Sequence, residues 1–187
     1  MCENDTLRLL TPPFPSPHSL ASIPLVVLGL GSNLGDSRLI ILEAAKALEG
    51  ILLELRVASL YETDPLYVTD QGRFINTVVA GFYGGNENPP ESARLLLSEI
   101  HKIEERYGRN RAAEKRWGER LLDIDILLFG DSKINASDII VPHPRLKERR
   151  FALQPLLEIL PEVLEPGTGL SYRSICDALP DQGVRRL

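Results

Sequence analysis

Between residues 25 and 129 the apolar residues switch back and forth between a two-residue and a roughly 3.6-residue repeat, and few topologies accept the resulting order. The run Leu25-Val-Val-Leu-Gly-Leu30 reads as a buried strand, and Asp36 can cap a helix whose Leu39, Ile40, Leu42, Ala44, Ala45, Ala47 and Leu48 form a broad apolar stripe. Residues Ile51–Tyr61 and Arg73–Tyr83 read as strands, separated by the loop Glu62–Gly72. Pro89 and Pro90 open a helix from about Glu91 to Tyr107, with Ala93, Leu96, Leu97, Ile100 and Ile103 at helical spacing and Gly108 as its stop. Leu121–Phe129 is a strand, Gly130-Asp131 turns into a short return over Lys133–Asn135, and Phe151–Leu160 and Tyr172–Leu179 read as short helices.

The order β-α-β-β-α-β is the split βαβ, or ferredoxin-like, signature: a largely antiparallel sheet with two helices on one face. The later helices then cover the other face, giving a three-layer α-β-α sandwich of the α/β (α+β) class. With 187 residues, 43% of them apolar, the chain can bury one core without a disulfide or metal staple, and residues 25–187 are expected to form a single domain. Residues 1–24 hold Pro12, Pro13, Pro15, Pro17 and Pro24 and no periodicity, so a flexible proline-rich leader is expected. Its Glu3 and Asp5 against Arg8 match neither a signal peptide nor an Arg-rich transit peptide. Cys2 and Cys176 stand at opposite ends of the chain, which points to a reducing, cytoplasmic setting. No apolar run is long enough to span a bilayer. The net charge of −5 argues against nucleic acid or membrane as a partner, so any phosphate ligand must be met by a local basic cluster.

Such a cluster exists. Arg109, Arg111, Lys115, Arg116 and Arg120 crowd the segment before the last strand, with Trp117 among them as a loop anchor or a cover for a base. The cluster is either a solvated face or a cradle for a polyphosphate. In the strand itself, Asp123 and Asp125 alternate with apolar residues and therefore share one face, about 6 to 7 Å apart. Either that face is solvated, or a hard cation relieves the repulsion of the pair, and carboxylates that bind Mg²⁺ suit phosphoryl chemistry. On this reading, removing either charge should leave the ligand-free protein as stable or more so.

Asn76 shares a face with Phe74 and Val78, so its carboxamide is bonded either by backbone or by a planar heterocycle with alternating donors and acceptors, on which Phe151 can stack. His143 lies in a proline-bounded loop near Arg149. Gly29, Gly31 and Gly35 suggest a tight turn with positive φ; their GxGxxxG spacing is one residue too long for a dinucleotide fingerprint, which removes an NAD(P)-dependent oxidoreductase. A ferredoxin-like RNA-binding module would display aromatic residues and basic charge on its sheet rather than paired carboxylates.

Gly31-Ser-Asn-Leu34, Tyr61-Glu-Thr-Asp-Pro-Leu66 with Phe74-Ile-Asn76, Arg116-Trp-Gly-Glu-Arg120-Leu-Leu-Asp123-Ile-Asp125, and Val141-Pro-His143 through Phe151 stand in order between about Leu25 and Pro161. Together they resemble the 6-hydroxymethyl-7,8-dihydropterin pyrophosphokinase family of folate biosynthesis. The resemblance implies transfer of diphosphate from ATP to the pterin hydroxymethyl group with release of AMP, by an enzyme expected to be a monomer whose partners are those two molecules. It implies two Mg²⁺ on Asp123 and Asp125, with Arg109 and Arg120 catalytic beside them. It places ATP against His101, Glu104, Arg111, Arg116, Trp117, Ile126, His143 and Arg149, and the pterin against Thr63, Asp64, Leu66, Phe74, Asn76 and Phe151.

A proline-rich segment without periodicity buries little apolar area. Deleting residues 1–24 should therefore leave melting temperature and activity near those of the full chain; a large loss in either would show that the segment packs on the body.

Overall fold

The structure, a computed structural model, describes residues 23–65, 70–109 and 119–187. Its first strand, β1 (Leu25–Ser32), is followed by helix α1 (Ser37–Leu48), the short strands β2 (Leu53–Val57) and β3 (Tyr61–Thr63), the long strand β4 (Phe74–Phe82), helix α2 (Pro89–Arg106) and strand β5 (Asp123–Phe129). Strand β1 lies between β4 and β5, antiparallel to both. A strand with neighbours on both edges and helices over both faces must be apolar throughout, which is why Val26, Val27, Leu28 and Leu30 are all buried.

The chain then forms the two-residue strands β6 (Ile134–Asn135) and β7 (Ile140–Val141), a 3₁₀ turn over Leu146–Glu148, helices α3 (Arg150–Ile159) and α4 (Tyr172–Ala178), and a last strand, β8 (Arg185–Arg186). The main sheet runs β5-β1-β4-β3-β8, with β2 also paired to β4. With β2 and β3 taken as one interrupted strand, this is the fourth-first-third-second order of the ferredoxin-like core. Helices α1 and α2 bury Ile41, Ala44, Leu48, Leu96 and Ile100 against Val26, Leu28 and Ile124 on one face. On the other face α3 and α4 set Leu153, Leu156 and Tyr172 against Val27, Val78 and Leu127. The expected three layers are present.

Several elements differ from the periodicity. The strand expected over Ile51–Tyr61 is broken, because Thr77 of β4 donates its hydroxyl to the carbonyls of Ala58 and Ser59 (3.0 and 3.1 Å) and replaces ladder bonds there. The stripe of α1 is narrower than its composition suggested: Asp36 does cap it, accepting from Leu39 N–H at 3.1 Å, but Leu39 and Leu42 are 51% and 53% exposed. Helix α2 begins at Pro89, since a proline in the first turn forfeits no intrahelical bond. The expected glycine turn is not one: Gly29 and Gly31 lie inside β1, and of the three glycines only Gly35 has a positive φ, +66°. Pro24, at the end of the expected leader, accepts from Tyr83 N–H at 3.1 Å.

Leu153 is fully buried where α3 meets the sheet. Leu153→Ala should lower the urea-unfolding free energy by about 2 to 5 kcal/mol through lost burial and a residual cavity; a change below 1 kcal/mol would mean that α3 is not held by this face.

Candidate active site

Strand parity builds the floor. In β5, Ile124 and Ile126 point into the α1/α2 core, so Asp123, Asp125 and Leu127 face the α3 side. The antiparallel register sets Gly29 opposite Asp125 and Gly31 opposite Asp123, and on the other edge of β1 sets Gly31 opposite Asn76. A cross-strand row therefore reads Asp123, Gly31, Asn76. A Cβ at Gly31 would stand 3.0 Å from Asn76 Oδ1, and one at Gly29 would stand 3.2 Å from a Leu127 methyl. The two glycines keep that floor open. The cleft above it is lined by Thr63, Asp64, Gln71, Phe74, Asn76, Arg120, Asp123, Asp125, Arg149 and Phe151 among others, which brings together half of the residues expected from the sequence.

Guanidinium groups crowd its acidic end. Arg109 Nη1 donates to Asp123 Oδ1 and Arg120 Nη1 to Asp123 Oδ2, both at 2.6 Å, and Arg149 Nη1 to Asp125 Oδ2 at 3.2 Å. Burial by itself would raise the pKa of Asp123, but the charges of Arg120 and Arg109 outweigh it and hold the carboxyl below the usual range. The arginines thus offset repulsion within the carboxylate pair, which leads to the opposite expectation for removal of a charge, that the ligand-free protein is destabilised.

Glu104 is 1% exposed and lies beneath this cluster. Its carboxylate accepts from Arg109 Nη1 and, at 2.8 Å, from Ile124 N–H. Strand β5 ends the sheet, so Ile124 N–H lacks a neighbouring strand on that side and the carboxylate takes its place. Glu104 therefore holds Arg109 rather than facing the cleft. His143 serves the same strand, donating its N–H to Leu127 O at 2.9 Å. Its Nδ1 accepts from Arg145 N–H at 3.1 Å, so the neutral ring carries its proton on Nε2, 3.7 Å from Asp125 Oδ2. Burial pushes the imidazole pKa down, against the pull of Asp125.

At the opposite end Asn76 and Thr63 are both buried, and Asn76 Nδ2 donates to Thr63 Oγ1 at 2.9 Å. The carboxamide is thus bonded by a side chain, not by the backbone. Phe74 and Phe151 line the same cleft, the Arg149 guanidinium carbon lies 5.6 Å from the Phe151 ring centroid, and Asp64 pairs with Arg73 at 2.9 Å.

The side chain of Ile126 is packed in the α1/α2 core because it falls on the even face of β5, so only its main chain is available to a ligand. His101 lies on α2, outside the lining. Leu66, Arg111, Arg116 and Trp117 lie outside the described residues. The sequence reading missed Gln71 in the lining, the floor role of Gly29 and Gly31, and Asn33, which ties the main chain of Arg120 from both sides: Asn33 Oδ1 accepts from Arg120 N–H at 2.8 Å and Asn33 N–H donates to Arg120 O at 3.1 Å. Asparagine after a strand is an ordinary turn signal, and nothing in its spacing marks a long-range bond.

Fold and site together define an α/β protein of ferredoxin-like topology, with one cleft that is anionic and arginine-rich at one end and lined by a carboxamide and aromatic rings at the other. The family model of 7,8-dihydro-6-hydroxymethylpterin-pyrophosphokinase (HPPK) matches residues 27–161, and the chain belongs to this family. It is 40% identical over 146 residues to the 2-amino-4-hydroxy-6-hydroxymethyldihydropteridine pyrophosphokinase of Bacillus subtilis, covering 77% of this chain and 83% of that one. The enzyme of the same name from Pseudomonas aeruginosa is 39% identical over 168 residues, with 88% and 98% covered. Other relatives are much longer: this chain spans 21% of the folic acid synthesis protein fol1 of Pneumocystis carinii, at 38% identity over 162 residues. Among solved structures, an HPPK-DHPS in complex with substrates superposes with a TM-score of 0.66 over 89% of this chain and 47% of that one, at 16% identity, a likeness of fold.

Two outcomes follow from the ion-pair cluster. Asp123→Asn should destabilise the ligand-free protein by about 1 to 3 kcal/mol at pH 7, the range for lost bonds to a charged partner. Because the folded pKa of Asp123 is depressed, its contribution is complete above the unfolded pKa and disappears as pH falls through the folded one. Melting curves of wild type and variant should therefore converge in strong acid, and parallel curves would show that the pairing is not the source. Glu104→Gln should cost more, about 3 to 5 kcal/mol, as expected for breaking a buried ion pair, and chemical denaturation measures it directly.

Proposed function

We propose that the chain transfers diphosphate from ATP to 6-hydroxymethyl-7,8-dihydropterin within this cleft, the pterin lying over Asn76, Thr63, Phe74 and Phe151 and the triphosphate over Asp123, Asp125, Arg109, Arg120 and Arg149. The observation that carries this assignment is the row Asp123, Gly31, Asn76. Two strand spacings, about 10 Å, separate its ends. That is the reach of a bicyclic ring with a one-carbon arm, so a ring read by Asn76 delivers its hydroxymethyl oxygen to the carboxylate end. With Asn76 Nδ2 committed to Thr63, Asn76 Oδ1 and the Thr63 hydroxyl remain as acceptor and donor for the ring edge.

In the reaction the hydroxymethyl oxygen attacks the β-phosphorus, the bond from that phosphorus to the α,β-bridging oxygen breaks, the hydroxyl proton departs, and AMP is the leaving group. Two carboxylates on one strand face offer the hard oxygen donors that Mg²⁺ takes together with phosphates. Asp123 and Asp125 fit two such ions, which when bound neutralise phosphate charge. Arg109 and Arg120, held in advance by Asp123 and Glu104, present fixed positive charge where negative charge accumulates, and Arg149 does so from α3. Lys would not substitute for these planar forks. Glu104 positions Arg109 and His143 approaches Asp125, so both act on the triphosphate end through neighbours.

The same reading makes Arg111, Arg116 and Trp117 further ATP contacts and Leu66 part of the pterin wall, and takes the leader as separate from one domain over residues 25–187. It also has the chain work as a monomer in the cytoplasm. Cys176 is free and buried. No helix among the described residues is long and apolar enough to cross a membrane.

The test is release of AMP from ATP with and without 6-hydroxymethyl-7,8-dihydropterin. AMP should form only with both substrates and Mg²⁺, Asp125→Ala should lower kcat by about 10² or more, and Asn76→Ala should act chiefly on the KM for the pterin. AMP formation independent of the pterin would refute the assignment.

A further inference from the structure

The family match ends at residue 161, yet the chain beyond α4 returns to both walls of the cleft. On the α3 side, the carbonyls of Leu179 and Pro180 accept from Arg150 Nη1 at 2.7 and 3.3 Å. Gln182 Oε1 accepts from Arg150 N–H, and Gln182 Nε2 donates to Glu148 O, both at 2.8 Å. On the β3 side, Arg185 and Arg186 pair with Glu62 and Tyr61, and Leu187 N–H donates to Leu60 O at 2.9 Å. Glu158 of α3 closes the loop, accepting from Tyr61 Oη at 3.0 Å and from Arg186 Nη2 at 3.1 Å.

We propose that Gln182 is a positioning residue for the reaction, its carboxamide fixing the backbone on both sides of Arg149 and so aiming that guanidinium at the triphosphate end of the cleft.

Arg149 is the N-cap of α3, and no side chain caps the helix in the usual way. The first amides of a helix have no partner inside it. Arg150 N–H is such an amide, and Gln182 supplies its acceptor from 32 residues away. The same planar group takes the carbonyl of Glu148, so one side chain brackets residue 149 as a neighbouring strand would. Arg149 needs this support. Its side chain is long and 14% exposed, and among the described residues it donates to Asp125 at 3.2 Å and lies over the Phe151 ring, while its buried Nε has no hydrogen-bond partner there. A small backbone rotation at residue 149 becomes a large displacement at the guanidinium, and Phe151 two positions on would move with it.

The inference rests on the function proposed above, and a double-mutant cycle on the full chain separates the two. Wild type that released no AMP would refute that function. Given activity, Gln182→Ala should lower kcat/KM for ATP by roughly 10- to 10²-fold, the size expected for a misplaced charge. It should add little in an Arg149→Lys background, because the lever would already be compromised. Gln182→Glu keeps the acceptor for Arg150 N–H but loses the donor to Glu148, so its rate should fall between wild type and Gln182→Ala. Independently of activity, the Arg149 Nε–H resonance should shift or broaden in Gln182→Ala. An equal loss in both backgrounds, an unmoved Arg149 resonance, or a Gln182→Ala protein that no longer folds would each overturn the proposal in favour of a purely structural role.

Discussion

Two carboxylates stand on the apolar edge strand β5, and three guanidiniums converge on them from three different parts of the chain: Arg109 after α2, Arg120 before β5 and Arg149 at the start of α3. A buried charge left alone costs several kcal/mol. The three arginine side chains are therefore tied to the strand by direct bonds to its carboxylates. Glu104 extends the arrangement inward, spending a buried carboxylate on one arginine and one edge amide. The result is a network in which the charge presented to the cleft and the stability of the fold draw on the same bonds, so a substitution within it acts on both.

The second constraint is an absence of atoms. Gly29 and Gly31 hold ordinary strand geometry in β1, and what matters there is the missing Cβ. With side chains at those places the strand would fill its own cleft, as β1 does on its opposite face with Val26, Leu28 and Leu30. A single strand thus seals a core on one side and floors the cleft on the other, which only period-two alternation permits.

Much of this was legible in the chain. The order of periods gave the ferredoxin-like core, and parity alone put Asp123 with Asp125 and Asn76 with Phe74. What could not be read were features that depend on side chains meeting across long separations. The break between β2 and β3 is made by a threonine on another strand, the cap of α3 comes from Gln182, and β8 is two exposed arginines with no pattern of their own. Leu39 and Leu42 misled because apolar character at helical spacing does not reveal how wide a face the sheet will cover.

Sequence by itself determined which face of each strand a residue occupies, since alternation is a local property of the backbone, and it determined which residue types were available for phosphate and for a heterocycle. Only the tertiary structure decided partners. The charge of Asp123 is balanced by arginines 14 residues before it and three residues before it, and that of Asp125 by one 24 residues later. Such pairings are set by how sheet and helices pack, and the energy of a buried ion pair depends on its surroundings far more than on its spacing along the chain.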